Sequence, residues 1–134
     1  MLVLRIHGLL TAAGDALAEP AGQTSARWQV LASIEEAPKT VVHIARVLGL
    51  ARQSVQRVAD LLEADGLAVY EENPDHLRAK LLRLAPRGLD ALRAIQAAQR
   101  GWANQLGAQL GEAPLRRANV VLEQVLRALR EAAA

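Results

Sequence analysis

The stretch TVVHIARVLGLARQSVQRVADLLEADGL (40–67) constrains the fold most, because it holds two amphipathic helices with almost nothing between them. Thr40 is a natural helix N-cap. Val41, Ile44, Ala45 and Leu48 recur on one helical face, and Gly49 can take the left-handed conformation that ends such a helix. A second helix begins near Ala51 and runs to Asp65, where Gly66 closes it. Two helices joined by so short a glycine-containing turn form a helix-turn-helix.

The second of these helices carries its charges against its dipole. Arg52 and Arg57 stand near its start and Asp60, Glu63 and Asp65 near its end, whereas a helix favours acids first and bases last. On a wheel of 100° per residue, Ala51, Val55, Val58, Ala59 and Leu62 form the core stripe. Gln53, Gln56, Arg57 and Asp60 lie opposite, flanked by Arg52 and Ser54. The early turns thus expose side-chain types that read base edges and phosphates. In helix-turn-helix proteins this end enters the major groove, where the dipole meets phosphate instead of a local carboxylate. The reversed order makes sense if DNA supplies the anion.

The flanking segments extend the pattern. LAVYE (67–71) and AKLLRL (79–84) read as short strands around the turn residues Asn73, Pro74 and Asp75, a β-hairpin wing. Charge falls in blocks: four bases and no acid from Lys39 to Arg57, six acids and no base from Val58 to Asp75, and four bases and no acid from His76 to Arg87. That order suits a two-point contact with a polyanion. Upstream, residues 2–18 read as a helix, and Thr24 caps another over 25–37 that ends at Pro38. Downstream, Pro86 opens a helix to about Leu110 with room for a bend near Gly101, and Gly111 precedes a last helix from Glu112 to about Ala133. Leu115, Val120, Val121, Leu122, Val125, Leu126 and Leu129 cover more than one face of that helix, which calls for burial on several sides.

Composition narrows the class. Hydrophobic residues make up 51% of the 134, with no Phe, no Cys and a single Tyr. The core is therefore aliphatic, and disulfides, thiolate metal sites and a thiol switch are excluded. No apolar run reaches the ~18 residues of a membrane span. Arg5 and His7 interrupt the apolar N-terminus, so it reads as an amphipathic helix and not as a leader. A cytoplasmic protein without a membrane partner is expected.

On these residues the chain resembles the MarR (multiple-antibiotic-resistance regulator) family of winged helix-turn-helix transcription regulators. The resemblance is carried by TSARWQVLASI, TVVHIARVLGLARQSVQRVADLLEADGL, NPDHLRAKLLRLAPRGLDAL and LGEAPLRRANVVLEQVLRAL. It implies a mainly α fold with a small β-hairpin wing, in a single domain over 1–134. Residues 24–86 would form the winged helix-turn-helix, and 1–22 and 87–134 the dimerisation helices. It further implies a homodimeric repressor of a near-palindromic double-stranded DNA operator, with room for relief by a small aromatic effector. Arg78 matches the family's wing arginine, which reaches the minor groove; His76 stands where the family usually has Asp.

The expected DNA contacts divide by role. Gln53, Gln56 and Arg57 are placed at base edges, with Ser54 serving either bases or phosphates. Arg52 and Lys80 are placed at the backbone, with His76 a phosphate neighbour and Lys39 a further contact. An effector pocket of the family's type would be lined by His7, Leu10, Trp28 and Leu31. No catalytic constellation, metal site or cofactor is expected: Ser54 has no histidine near it in sequence, and Glu71, Glu72, Asp75 and His76 read as a solvated turn. The alternative function is a winged-helix dimer that has lost DNA reading and serves as a protein-interaction or ligand-binding module.

Overall fold

The computed structural model describes residues 1–134. Its elements run α1 (Leu2–Ala18), a 3-10 turn (Glu19–Ala21), α2 (Ser25–Ser33), β1 (Lys39–Thr40), α3 (Val41–Leu48), α4 (Arg52–Ala64), β2 (Ala68–Glu71), β3 (Leu81–Leu84), α5 (Pro86–Leu110) and α6 (Glu112–Ala133). No helix is long and apolar enough to cross a membrane. Contacts group the chain into two compact units, Met1–Ala97 and Ala98–Ala134.

In the first unit the expected caps form. Thr24 accepts from the Arg27 amide and Thr40 from the His43 amide, both at 3.2 Å. Gly49 takes φ 67°, and the Leu50 amide returns to the Ala45 carbonyl at 3.0 Å, so the joint between α3 and α4 is a tight hydrogen-bonded turn. Ile44, Val55, Ala59 and Leu62 bury the facing sides of the two helices, together with Val30, Leu31, Leu82 and Leu92. Ala51, expected in the core stripe of α4, is instead its exposed N-cap, because the chain enters α4 extended there (φ −66°, ψ 137°).

The sheet differs from a plain hairpin. Its order is β1-β3-β2, all antiparallel, with Lys39 opposite Leu82 and Tyr70 opposite Leu82 on the other side. The added strand explains why α2 stops at Ser33 and does not reach residue 37. Glu35 and Glu36 would have lain at the negative end of the helix dipole. The chain turns early instead, Ile34 drops into the core at 2% exposure, and the Lys39 ammonium donates to the freed Ser33 carbonyl at 2.7 Å.

Two contacts fix the ends of the module. The Asp15 carboxylate accepts from the Ser25 amide at 2.7 Å, joining α1 to the start of α2. At the other end α5 packs so closely on the start of β2 that a Cβ on Gly88 would sit 2.0 Å from the Leu67 carbonyl oxygen. Only glycine allows that approach.

The second unit holds the end of α5 and all of α6. α5 is one continuous helix through Gly101. α6 has no buried residue, and Val120, Val121, Leu122, Val125, Leu126 and Leu129 are all about half exposed or more.

Candidate nucleic-acid interface

The charge order of α4 separates into two kinds of work. Two of its three acids, Asp60 and Asp65, are engaged inside the module. Asp65 pairs with Arg27 at 2.7 Å, and the Asp65 carbonyl accepts from Arg87 at 3.1 Å, so α2 and α5 both grip the C-terminal end of α4. Asp60 accepts from Tyr70 at 2.7 Å and from Gln56 at 3.0 Å. The Tyr70 hydrogen bond first, then that of Gln56, hold the Asp60 carboxyl below its ordinary range against a small opposing effect of burial.

The bases at the other end have no such partners. Arg52 and Arg57 on α4, and Arg78 and Lys80 on the segment between β2 and β3, are exposed and form no ion pair within the chain. Gln53 and Ser54 are exposed beside them. Ala51 offers no side-chain cap, so the first amides of α4 lack a local acceptor from that residue. The free donors and the positive end of the helix dipole thus coincide.

Arg52, Arg78 and Lys80 stand around a cleft of about 310 Å³ that is also lined by Thr40, Val41, Val42, Gln56, Tyr70 and Ala79. A second, shallower hollow on the outer side of α4 is lined by Arg52, Gln53, Gln56, Arg57 and Asp60. Seven of the nine DNA-contact residues expected from sequence therefore meet on one helix end and the adjoining wing. Of the other two, Lys39 is turned to the C-terminal end of α2, and His76 lies exposed in the turn after Asn73, whose side chain accepts from the Asp75 amide at 3.1 Å. Sequence reasoning missed Tyr70. It sits on β2, half-buried, and its only signal is that it is the single tyrosine of the chain.

The four residues expected around an effector divide between α1 and α2. Leu31 is fully buried in the core, and Trp28 packs against that same core. His7 and Leu10 are exposed on α1, and none of the four lines the two clefts described above. No group of three or more His, Cys, Asp or Glu side chains stands close enough to hold a metal ion.

Comparison with known proteins agrees with this architecture. The sequence profile of the MarR family matches residues 21–79. Uncharacterized proteins of Mycobacterium tuberculosis and Mycobacterium bovis are 44% identical over 93 residues, covering 69% of this chain and 65% of theirs. The chain thus spans a little under two thirds of the length of these relatives. Among solved structures, the Mycobacterium tuberculosis transcriptional regulator MosR in complex with DNA superposes with a TM-score of 0.78 at 26% identity, covering 96% of each chain. Staphylococcus aureus MarR in complex with salicylate and kanamycin gives a TM-score of 0.82 at 16% identity, over 96% of this chain and 87% of that one. Residues 21–79, with the helix-turn-helix and the start of the wing, thus match the MarR family of winged-helix transcription regulators, and the likeness in fold extends along nearly the whole chain.

Proposed function

We propose that the protein is a sequence-specific double-stranded DNA-binding regulator, working as a homodimer on a near-palindromic operator, with repression as its mode. The observation that carries the reading is the division of charge on α4. Asp60 and Asp65 are consumed by internal partners, while Arg52, Arg78 and Lys80 stand unpaired around one cleft and Arg57 stands unpaired beside the hollow on the outer side of α4. Unpaired cations gathered at a helix N-terminus suit phosphate and base edges. Arg57, Gln53 and Gln56 would meet base edges, Arg52 and Lys80 phosphates, and Arg78 the minor groove. MosR, which shares the fold at 26% identity, was solved on DNA.

The dimer rests on α1 and α6. Leu2, Val3, Leu4, Leu9 and Leu10 on α1 are at least half exposed, and so is most of the apolar set on α6. Apolar surface of that extent marks an interaction site, and a second copy covers it in a symmetric assembly. Homodimerisation also matches the geometry by which paired helix-turn-helix modules read two half-sites about one helical turn apart.

The test is binding of the purified protein to a tiled set of labelled duplexes from the DNA flanking its own gene, with non-specific competitor present. One tile bound at nanomolar affinity, with a footprint of two half-sites, supports the reading. Equal weak binding to every tile, followed by failure to enrich any sequence from random duplexes, overturns it.

A further inference from the structure

Gln56 differs from the other polar residues at the start of α4 because its amide is not free. Nε2 donates to Asp60 Oδ1 at 3.0 Å and to the Tyr70 hydroxyl oxygen at 2.9 Å, while Tyr70 donates its own proton to Asp60 Oδ1 at 2.7 Å. A carboxylate only accepts, so the nitrogen of the amide, and not its oxygen, must face Asp60. The two acceptors lie 2.7 Å apart, so the nitrogen is turned to one side of the amide's reach and held there by both of them. Oε1 makes no hydrogen bond within the chain, and Gln56 lines both the cleft toward the wing and the hollow on the outer side of α4.

We propose, resting on the DNA-binding reading above, that Gln56 reads its base as an acceptor alone, and that Tyr70 and Asp60 are the positioning residues that make it so. An unconstrained glutamine pairs with adenine through two bonds, taking one from N6 and giving one to N7. The nitrogen of Gln56 is already held by Asp60 and Tyr70, and its oxygen is the group left to face a base. Its oxygen can take a hydrogen bond from an exocyclic amino group, which adenine presents at N6 and cytosine at N4 in the major groove. Guanine and thymine turn only acceptors to it there. The base facing Gln56 is therefore adenine or cytosine, and never guanine or thymine. Gln53, with no internal partner, keeps the ordinary adenine preference. Tyr70 reaches no base in this scheme; it sets specificity from the wing by holding the amide of a neighbouring helix.

Selection from random duplexes with the wild type and with Gln56→Ala gives the operator and, by the position whose preference collapses, the base that Gln56 faces. The wild type selects adenine or cytosine there. With adenine at that position, replacement by purine, which lacks the amino group, weakens binding about fivefold or more, while 7-deazaadenine, which lacks N7, binds within about twofold of the parent. In Tyr70→Phe one of the two holds on Nε2 is lost, and the amide can turn to give a hydrogen to N7. The variant then loses severalfold affinity on 7-deazaadenine and narrows its preference to adenine, with the other operator positions unchanged. A merely structural role for Tyr70 would weaken all positions together.

Three results overturn the proposal: a wild type as sensitive to loss of N7 as to loss of the amino group, a Tyr70→Phe variant with the wild-type pattern, or a Gln56→Ala variant that keeps every base preference. Failure to enrich any duplex with the wild type removes the DNA-binding reading, and this proposal with it. The first three leave that reading standing.

Discussion

The Tyr70 hydroxyl donates to Asp60 at 2.7 Å, and this bond ties β2 of the wing to the recognition helix α4. It gives one of the reversed charges on that helix its reason. Asp60 does not answer the helix dipole; it orders the wing and the Gln56 amide.

The same bond is readable by titration, because Tyr70 is the only tyrosine of the chain. Burial, and then the hydrogen bond to the Asp60 carboxylate, push its pKa well above the ordinary value of 10.0. A raised pKa means that the folded state keeps a proton the unfolded chain would release. This contribution to stability is complete below about pH 10 and is lost as pH rises through the folded pKa. Asp60 acts at the other end: its lowered pKa contributes stability that is present above about pH 4 and is lost as pH falls through the folded value. The phenolate absorbance of the folded protein is expected to appear only well above pH 10, and to move toward pH 10 in Asp60→Asn. Ionisation at pH 10 in the folded wild type would contradict the clamp.

Gly88 sits where α5 meets the start of β2, and a Cβ added there would lie 2.0 Å from the Leu67 carbonyl oxygen. That neighbour is backbone and cannot swing aside. Gly88→Ala is expected to destabilise by about 1–3 kcal/mol, read as a lower urea midpoint. Gly101→Ala is the control: it lies within α5 with nothing within 4 Å of the added Cβ, and it should stabilise by about 0.5–1 kcal/mol. Equal effects of the two would show that the close approach is not real.

Arg57 is exposed and makes no ion pair. Arg57→Ala is expected to cost about 1–3 kcal/mol of operator affinity and to relax specificity at one position. Its stability should stay within about 0.5 kcal/mol of wild type. Arg27→Ala, which removes the 2.7 Å ion pair to Asp65, should reverse the pattern, lowering stability and leaving base preference intact. Competition binding and urea unfolding of the two variants separate the roles.

Val121 and Val125 lie one helical turn apart on α6 and are 55% and 48% exposed. If a second copy covers that face, Val121→Asp with Val125→Asp gives a monomer by light scattering, with weakened operator binding because each half-site is then met alone. A double variant that elutes and scatters as the wild type does would place the dimer contact elsewhere.

Much of this was legible in the sequence, for identifiable reasons. Thr24, Thr40, Gly49 and Gly66 mark element ends through local chemistry, and the caps and turns form where those residues stand. What escaped is non-local. β1 is two residues long, too short for any periodicity, and exists only because β3 lies beside it. The early end of α2 follows from that pairing. Ala51 fits the core stripe by angle but falls just outside the helix. At the interface, Arg52, Gln53, Gln56 and Arg57 could be placed on one face by counting along the helix. The Tyr70–Asp60–Gln56 triangle could not, because it joins a strand to a helix across residues 56–70 and no spacing rule announces it. Leu31 and Trp28 have the composition of a pocket wall, but the core of the module claims them first.

The most direct test of the central claim is the salt dependence of binding to the selected operator. Contact by the basic residues around α4 and the wing, about eight phosphates in a dimer, should weaken affinity by some 10³–10⁵ between 50 and 200 mM salt, because each neutralised phosphate releases counterions. That steep slope, made shallower by Arg52→Ala or Lys80→Ala, is the result the account predicts. Affinity that scarcely changes over the same range would contradict it, and would favour a winged-helix dimer that binds a protein or a ligand through apolar surface.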